Sequence, residues 1–278
     1  MDFITDINKL KKHIYETVLS SLEPLTFGML YKVLKKQCKI ERYAFKKAVD
    51  ELVASGDICY SYKHGCSFLE KSLEKPVQIS KRIFLVPHQL RYSKKADEIV
   101  IKMQSGISFG RGDHPTTRLA LKGIEHAFEF NSLIGNSNTN SKALDIGTGN
   151  GILAIACVLL GVQKALGIDI DKCAINEARE HVIINGLVNR IEISDMPVEK
   201  ITGHFSIITA NLRYPTLKSL HPLIAKLTGT NSMLVFSGIK VSECDELSKL
   251  YTNNLFTYCW EDREKDWSAM VFKRSKIA

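Results

Sequence analysis

Residues 143–151 read Ala-Leu-Asp-Ile-Gly-Thr-Gly-Asn-Gly, and Ile-Leu-Ala-Ile-Ala-Cys-Val-Leu-Leu follows at once. Apolar residues lead into Asp145, and glycines stand at Gly147, Gly149 and Gly151. The pattern predicts a buried strand, a tight glycine turn and a helix. Glycine accepts positive φ and lets a ligand approach the main chain closely. The helix N-terminus behind the turn offers N–H groups that lack partners within the helix. A second short apolar run, Lys164–Ile170, closes on Asp169, 24 residues after Asp145. An acid at the end of the second strand accepts both hydroxyls of a ribose, so a nucleoside ligand is implied. Asp171 suits the cap of the next helix.

The order Asp145, Gly147, Gly149, Gly151 resembles the first motif of class I S-adenosylmethionine (SAM)-dependent methyltransferases. It differs from the dinucleotide fingerprint, which has a longer Gly-x-x-Gly.

A chain of 278 residues has room for one large domain and a small one. No run of 18 apolar residues exists, so no membrane span is expected. The N-terminal Met-Asp-Phe-Ile-Thr-Asp lacks the basic and apolar regions of a secretory signal. The seven cysteines are scattered and form no Cys-x-x-Cys pair. A reducing cytoplasm is therefore expected, and no metal. The net charge of +8 suits nucleic-acid or ribosomal partners and equally a solvated lysine-rich surface.

Residues 1–75 read as a separate small unit. Ile7–Leu22 has Ile7, Leu10, Ile14, Val18, Leu19 and Leu22 at helical spacing. Thr26 can cap a second helix to about Cys38, with Phe27, Leu30, Val33 and Leu34 inward. Glu41–Ser55 predicts a third, with Phe45, Val49, Leu52 and Val53 inward and Gly56 as its stop. Asp57–Leu69 alternates in strand fashion around His64-Gly65. Three helices and a hairpin resemble a winged-helix domain. The third helix of such domains often enters a nucleic-acid groove, and here it carries Arg42, Lys46 and Lys47, with Lys63 and His64 on the wing. Glu41, Asp50 and Glu51 dilute that charge, which also fits a protein-interaction module.

Residues 76–108 are expected to be a β-rich linker, with Arg82–Pro87 and Glu98–Met103 as a hairpin. Ser108–Thr117, Ser-Phe-Gly-Arg-Gly-Asp-His-Pro-Thr-Thr, then forms a compact loop before a helix to about Phe128. Such a loop can fold over a cofactor, with Thr116 and Thr117 offering hydroxyls. His114, ahead of a proline, reads as loop-shaping. Asn131–Lys142 is a surface loop.

Cys173–Asn185 predicts a helix with Ala174, Ala178 and Ile183 on its apolar side. Strand Ile191–Ser194 precedes Asp195. Phe205–Ala210 is a buried strand ending at Asn211-Leu-Arg-Tyr-Pro, and polar residues at the C-terminal end of a parallel strand face the ligand crevice. Strands and helices alternate to the end, closed by Phe256–Glu261 and Trp267–Lys273. The fold class expected is α/β: a doubly wound, mostly parallel, Rossmann-like sheet with a small N-terminal domain.

Phe109-Gly-Arg-Gly-Asp-His-Pro-Thr-Thr-Arg, the Asp145 glycine motif, Gly167-Ile-Asp-Ile-Asp and Ala210-Asn-Leu together resemble the ribosomal protein L11 methyltransferase (PrmA) family. The resemblance covers roughly residues 82–275, about two thirds of the chain. It implies a SAM-dependent methyltransferase domain over 109–278, acting on amino groups of a protein such as a ribosomal protein. It implies a SAM pocket of Phe109, Thr116, Thr117, Asp145, Gly147, Thr148, Gly149, Asp169, Ile170 and Asn211. Asp195 would meet the adenine amine, with Ser194 and Met196 beside it. Asn211 and the Leu212 carbonyl would accept hydrogen bonds from the incoming amine. Arg111, Asp113, Arg213 and Tyr214 depart from the family pattern. The N-terminal unit departs furthest, because the family carries a small α/β domain there. Two other functions fit the residues: an RNA methyltransferase that reads through the winged helix, and a regulator that binds SAM or nucleic acid without turnover.

Overall fold

The computed structural model describes residues 6–21, 23–63, 65–72, 75–104, 114–131, 140–253 and 255–275. The chain divides into two compact units, Met1–Val77 and Gln78–Ala278.

The first unit holds α1 (Ile7–Ser20), β1 (Leu25–Thr26), α2 (Phe27–Gln37), α3 (Arg42–Ala54), β2 (Ile58–Lys63) and β3 (Cys66–Lys71). The Thr26 side chain accepts from the Met29 amide and so caps α2. The strands form an antiparallel sheet ordered β1-β3-β2. Leu10, Ile14, Leu30, Leu34, Phe45, Val49 and Ile58 make its core. Phe45 stands edge-on to Phe27 at 4.9 Å. Leu19 and Val33 are exposed rather than inward. Leu22 and His64 lie outside the described residues.

The chain continues through β4 (Val77–Gln78), β5 (Ile83–Pro87) and β6 (Ile99–Met103). β5 and β6 run parallel, Ile83 opposite Ile99, not as the expected hairpin. Residues 88–98 between them exceed any tight turn. They are long enough to bring the chain back to the starting edge, as a parallel pair requires.

The rest alternates: α4 (Pro115–Phe130), β7 (Lys142–Ile146), α5 (Ile152–Leu160), β8 (Lys164–Ile168), α6 (Lys172–Ile184), β9 (Ile191–Ser194), β10 (Phe205–Asn211), α7 (Tyr214–Leu227), β11 (Thr228–Lys240), α8 (Cys244–Thr252), β12 (Phe256–Glu264) and β13 (Trp267–Arg274). Seven strands form one sheet ordered β12-β13-β11-β10-β7-β8-β9. It is parallel from β11 to β9, and β13 and β12 join antiparallel. This is the doubly wound α/β architecture expected. The order reverses beside β7, where the chain winds outward to β8 and β9 and then returns to β10. Ligands bind at such a switch point, outside the carboxyl ends of the strands.

Burial explains the composition of these elements. The seven residues Ile152–Val158 of α5 are all buried, as a helix between a sheet and other elements must be. Each large aliphatic side chain removed from water there contributes about 1.5–3 kcal/mol. β7 and β10 are buried on both faces, which is why they read as apolar runs rather than alternations. Among the described residues no helix is long and apolar enough to cross a membrane.

Candidate active site

The carboxyl ends of β7 and β8 build the first half of the crevice. Gly147, Gly149 and Gly151 have φ of +70°, +55° and +82°, so all three lie where side chains are strained. The Gly147 and Thr148 amides both donate to the Ile168 carbonyl at 2.9 Å, tying the turn to β8. Asp145 is fully buried beneath the turn. Its two oxygens accept from the Thr148 hydroxyl at 2.7 Å and the Thr209 hydroxyl at 2.6 Å. Burial pushes the Asp145 carboxyl up to about 6, with the Asp169 charge acting the same way and the two hydroxyls opposing. Asp145 therefore shapes the turn from below and does not face the crevice. Gly167 is needed for the same reason: a Cβ there would stand 2.7 Å from the Thr148 hydroxyl.

Above the turn the groups face outward. The half-buried Asp169 accepts from the Gly149 amide at 2.8 Å on one oxygen and from the Asp171 amide at 3.0 Å on the other. A Cβ on Gly149 would meet no atom within 4 Å. Ile170 is 97% exposed, the most extreme exposure of a large apolar side chain in the described residues. Asp195 is exposed just beyond β9, and the Met196 amide donates to the Ser194 hydroxyl at 3.1 Å. Asp171 caps α6 by accepting from the Cys173 amide at 2.8 Å.

The ends of β10, β11 and β13 and the start of α4 build the second half. His114 is the N-cap of α4, and its Nδ1 lies 3.3 Å from the Thr116 amide. An amide only donates, so Nδ1 accepts and the ring is neutral with its proton on Nε2. The Thr116 hydroxyl, 2.8 Å from the same Nδ1, then donates to it. Its oxygen accepts from the Asn211 amide Nδ2 at 3.2 Å. That bond fixes which way the amide of Asn211 points: nitrogen to Thr116, oxygen away. Among the described residues no donor reaches Asn211 Oδ1 or the Leu212 carbonyl. Leu212 is held by its own amide, which donates to the Ser237 carbonyl at 3.0 Å. The buried Ser237 hydroxyl donates to the Thr116 carbonyl at 2.8 Å. Trp267 stacks with the Arg213 guanidinium at 5.6 Å and meets the His114 ring edge-on at 5.9 Å.

The halves meet below the turn, where the Thr209 hydroxyl donates to Asp145, and again beside it. A Cβ on Gly147 would stand 2.6 Å from Leu212 Cδ2. The structure thus brings Thr116, Gly147, Thr148, Gly149, Asp169, Asn211 and Leu212 together at the carboxyl ends of the parallel strands. Thr116 and Thr117, in the first turn of α4, are both buried. Phe109 lies outside the described residues, as do Arg111 and Asp113. Ser237, Gly238, Trp267 and His181 were missed from sequence. Gly238, after an apolar strand and with φ +79°, was the one with a readable signal. Among the described residues no three His, Cys, Asp or Glu side chains are grouped to hold a metal. None of the seven cysteines is in a disulfide.

The sequence pattern of the family described as ribosomal protein L11 methyltransferase (PrmA) matches residues 69–275. A curated ribosomal protein L11 methyltransferase of Pelobacter propionicus is 33% identical over 205 residues, 73% of this chain and 65% of that protein. Its counterpart in Geobacter metallireducens is 31% identical over 198 residues, 71% of this chain and 62% of that protein. The chain thus spans less than two thirds of the length of these curated relatives. The crystal structure of a ribosomal protein L11 methylase from Lactobacillus delbrueckii subsp. bulgaricus superposes with a TM-score of 0.63 at 27% identity, over 72% of this chain and 99% of that one.

Proposed function

The chain belongs to the ribosomal protein L11 methyltransferase (PrmA) family, and we propose that it is a SAM-dependent N-methyltransferase acting on amino groups of a protein. A ribosomal protein in the cytoplasm is the leading substrate, because the similar proteins are named for one. The observation that carries the reading is the contact between Gly147 and Leu212. It brings the Leu212 side chain against the glycine turn, next in sequence to Asn211, and among the described residues Asn211 Oδ1 and the Leu212 carbonyl are acceptors that no donor reaches.

The residues fit an adenosine-bearing donor. The space over Gly149 is open, Asp169 keeps lone pairs for a ribose, and Ile170 offers an exposed apolar face at the position of a base. Asp195 lies beyond it for the exocyclic amine, Thr116 and Thr117 stand in the first turn of α4 on the other flank, and Phe109 joins the set from the sequence alone. SAM, when bound, supplies an electrophilic methyl group on a sulfonium. Asn211 and Leu212 accept the two N–H groups of the incoming neutral amine and leave its lone pair aimed along the transfer line. Their contribution is proximity and orientation. Thr116 acts through Asn211 by holding its amide the right way round.

Residues 1–68 lie outside the family match, so substrate choice is the least constrained part of the reading. An RNA substrate, read through residues 1–75 as a winged helix, is favoured by one feature. Phe27, Arg42, Tyr43, Lys46, Asp50 and Tyr60 line a groove of about 520 Å³ in the first unit. Tyr43 is 79% and Tyr60 49% exposed there. Exposed rings beside cations suit stacked bases and phosphates.

The test is Asn211→Ala, assayed with methyl-labelled SAM and a ribosomal extract split between nuclease and protease. SAM binding is retained and transfer falls at least about a hundredfold. Label removed by protease alone supports the protein substrate, and label removed by nuclease transfers the reading to RNA. Undiminished transfer by the variant overturns the role of Asn211. SAM binding by the native protein without any transfer would favour a regulator.

A further inference from the structure

α6 carries a histidine the crevice does not use. His181 is 1% exposed. Its Nδ1 lies 3.0 Å from the Asn150 carbonyl in the glycine turn, and its Nε2 lies 3.1 Å from the Gln104 amide just after β6. A carbonyl can only accept and an amide can only donate. Both bonds exist together only for a neutral ring with its proton on Nδ1. A protonated ring would aim an N–H at the Gln104 N–H and lose that bond.

The neighbours of His181 on α6 serve the same two segments. Ala178, one turn earlier, is the residue a Cβ on Gly151 would strike at 3.2 Å. Asn185, one turn later, clasps the Lys102 backbone, accepting from its amide and donating to its carbonyl, each at 2.8 Å. Ala178 and Asn185 hold one segment each, and His181 spans both.

We propose that His181 is a positioning residue: its neutral ring locks the glycine turn to β6, and its protonation frees the turn and weakens nucleoside binding as pH falls. Burial and the nearby His88 disfavour the charged ring, whereas Glu180 and the Asn150 bond favour it. The net direction is downward from the ordinary histidine value, so the lock is closed at neutral pH and opens only on acidification. The inference rests on reading the crevice as a SAM site.

Two substitutions separate the two bonds without a titrating group. His181→Asn sets an amide nitrogen near the Nδ1 position, keeping the donor to Asn150 and abandoning Gln104. His181→Gln reaches the Nε2 position and keeps an acceptor for Gln104. SAM affinity is measured by calorimetry between about pH 4.5 and 8, with the protection of the Gly149–Ile152 amides, exchange corrected for its intrinsic pH dependence, followed in the ligand-free proteins. The native protein is expected to lose affinity below the ring's lowered titration point, by up to about tenfold per pH unit for one linked proton, with falling protection in the turn. Each variant keeps only one of the two bonds, so both bind SAM more weakly than the native protein at pH 8 and both show a flatter pH dependence. The ligand's own protonation is common to all three and cancels. Variants that keep the native pH dependence, or a turn whose protection ignores both pH and substitution, overturn the proposal. If no form binds SAM, the functional reading fails, while the exchange measurement still decides the role of His181.

Discussion

The two halves of the crevice are built from different materials. The half under β7 and β8 is main chain: three positive-φ glycines, two amides on the Ile168 carbonyl and one on Asp169. The half under β10, β11 and β13 is a relay of side chains, from Trp267 through His114 and Thr116 to Asn211. The first half recognises whatever fits against a fixed backbone. The second can be re-aimed by changing one residue, and Arg213 lies on that relay through its stack with Trp267. The two halves are thus held by different kinds of contact, joined through the β7–β10 pairing, the Asp145–Thr209 bond and the approach of Leu212 to Gly147.

Gly238→Ala should break the halves apart most completely. Gly238 has φ +79°, and an added Cβ would stand 2.8 Å from the Leu212 carbonyl oxygen and 3.0 Å from Asn211 Oδ1. Backbone on one side and a fixed amide on the other leave little room to yield. Both acceptors are displaced while the glycine turn is untouched. Methyl transfer should fall about a thousandfold, roughly 4 kcal/mol in the barrier, with SAM affinity changed less than about threefold. Equal losses of binding and transfer would show that the halves are not separable.

Asp145 offers the matching attack from the other side. Its folded carboxyl titrates at about 6, above the ordinary value of 3.8. A raised acid contributes stability in full below the unfolded value and loses it as pH rises through the folded one. The native protein should therefore lose on the order of 3 kcal/mol from this group between about pH 4 and 6.5. Asp145→Asn cannot ionise, so the stability difference between variant and native protein should move in the variant's favour by that amount over the same range. Denaturant unfolding at several pH values measures it. A difference independent of pH would mean that the carboxylate is not held as its burial requires.

What the sequence disclosed follows the same division. A positive-φ glycine and a strand-end acid are chemically distinctive letters, so Gly147, Gly149 and Asp169 announced the first half. Asn211 and Leu212 were readable through their place after a buried strand. Trp267 and His114 were not read as partners, because their contact joins segments far apart in sequence. The spacing of α6 predicts Ile183 on its inward face, but that face is turned by one position: Ile183 is exposed, whereas Ile175, Ala178, His181 and Val182 are buried. A histidine three residues from a buried alanine reads as polar surface until a carbonyl and an amide are found on either side of it. The parallel pairing of β5 and β6 was hidden too, although the length of residues 88–98 pointed to a crossover.

The smallest expected effect tests whether the first half really ends in an adenosine site. Ile170 is exposed, so folding gains almost nothing from its side chain. A side chain that is apolar and unburied in the free protein but covered in a complex contributes to binding alone. Ile170→Ser should leave the unfolding midpoint within about 1 °C, since substitutions at exposed positions usually shift stability by less than about 0.5 kcal/mol. It should weaken SAM about tenfold, the worth of roughly 1.4 kcal/mol of apolar contact with a base. Methyl transfer at saturating SAM should be unchanged, because Ile170 stands on the half that does not touch the amine. If affinity is also unchanged, the base lies elsewhere, and the exposed isoleucine belongs to a different surface from the ribose acid beside it.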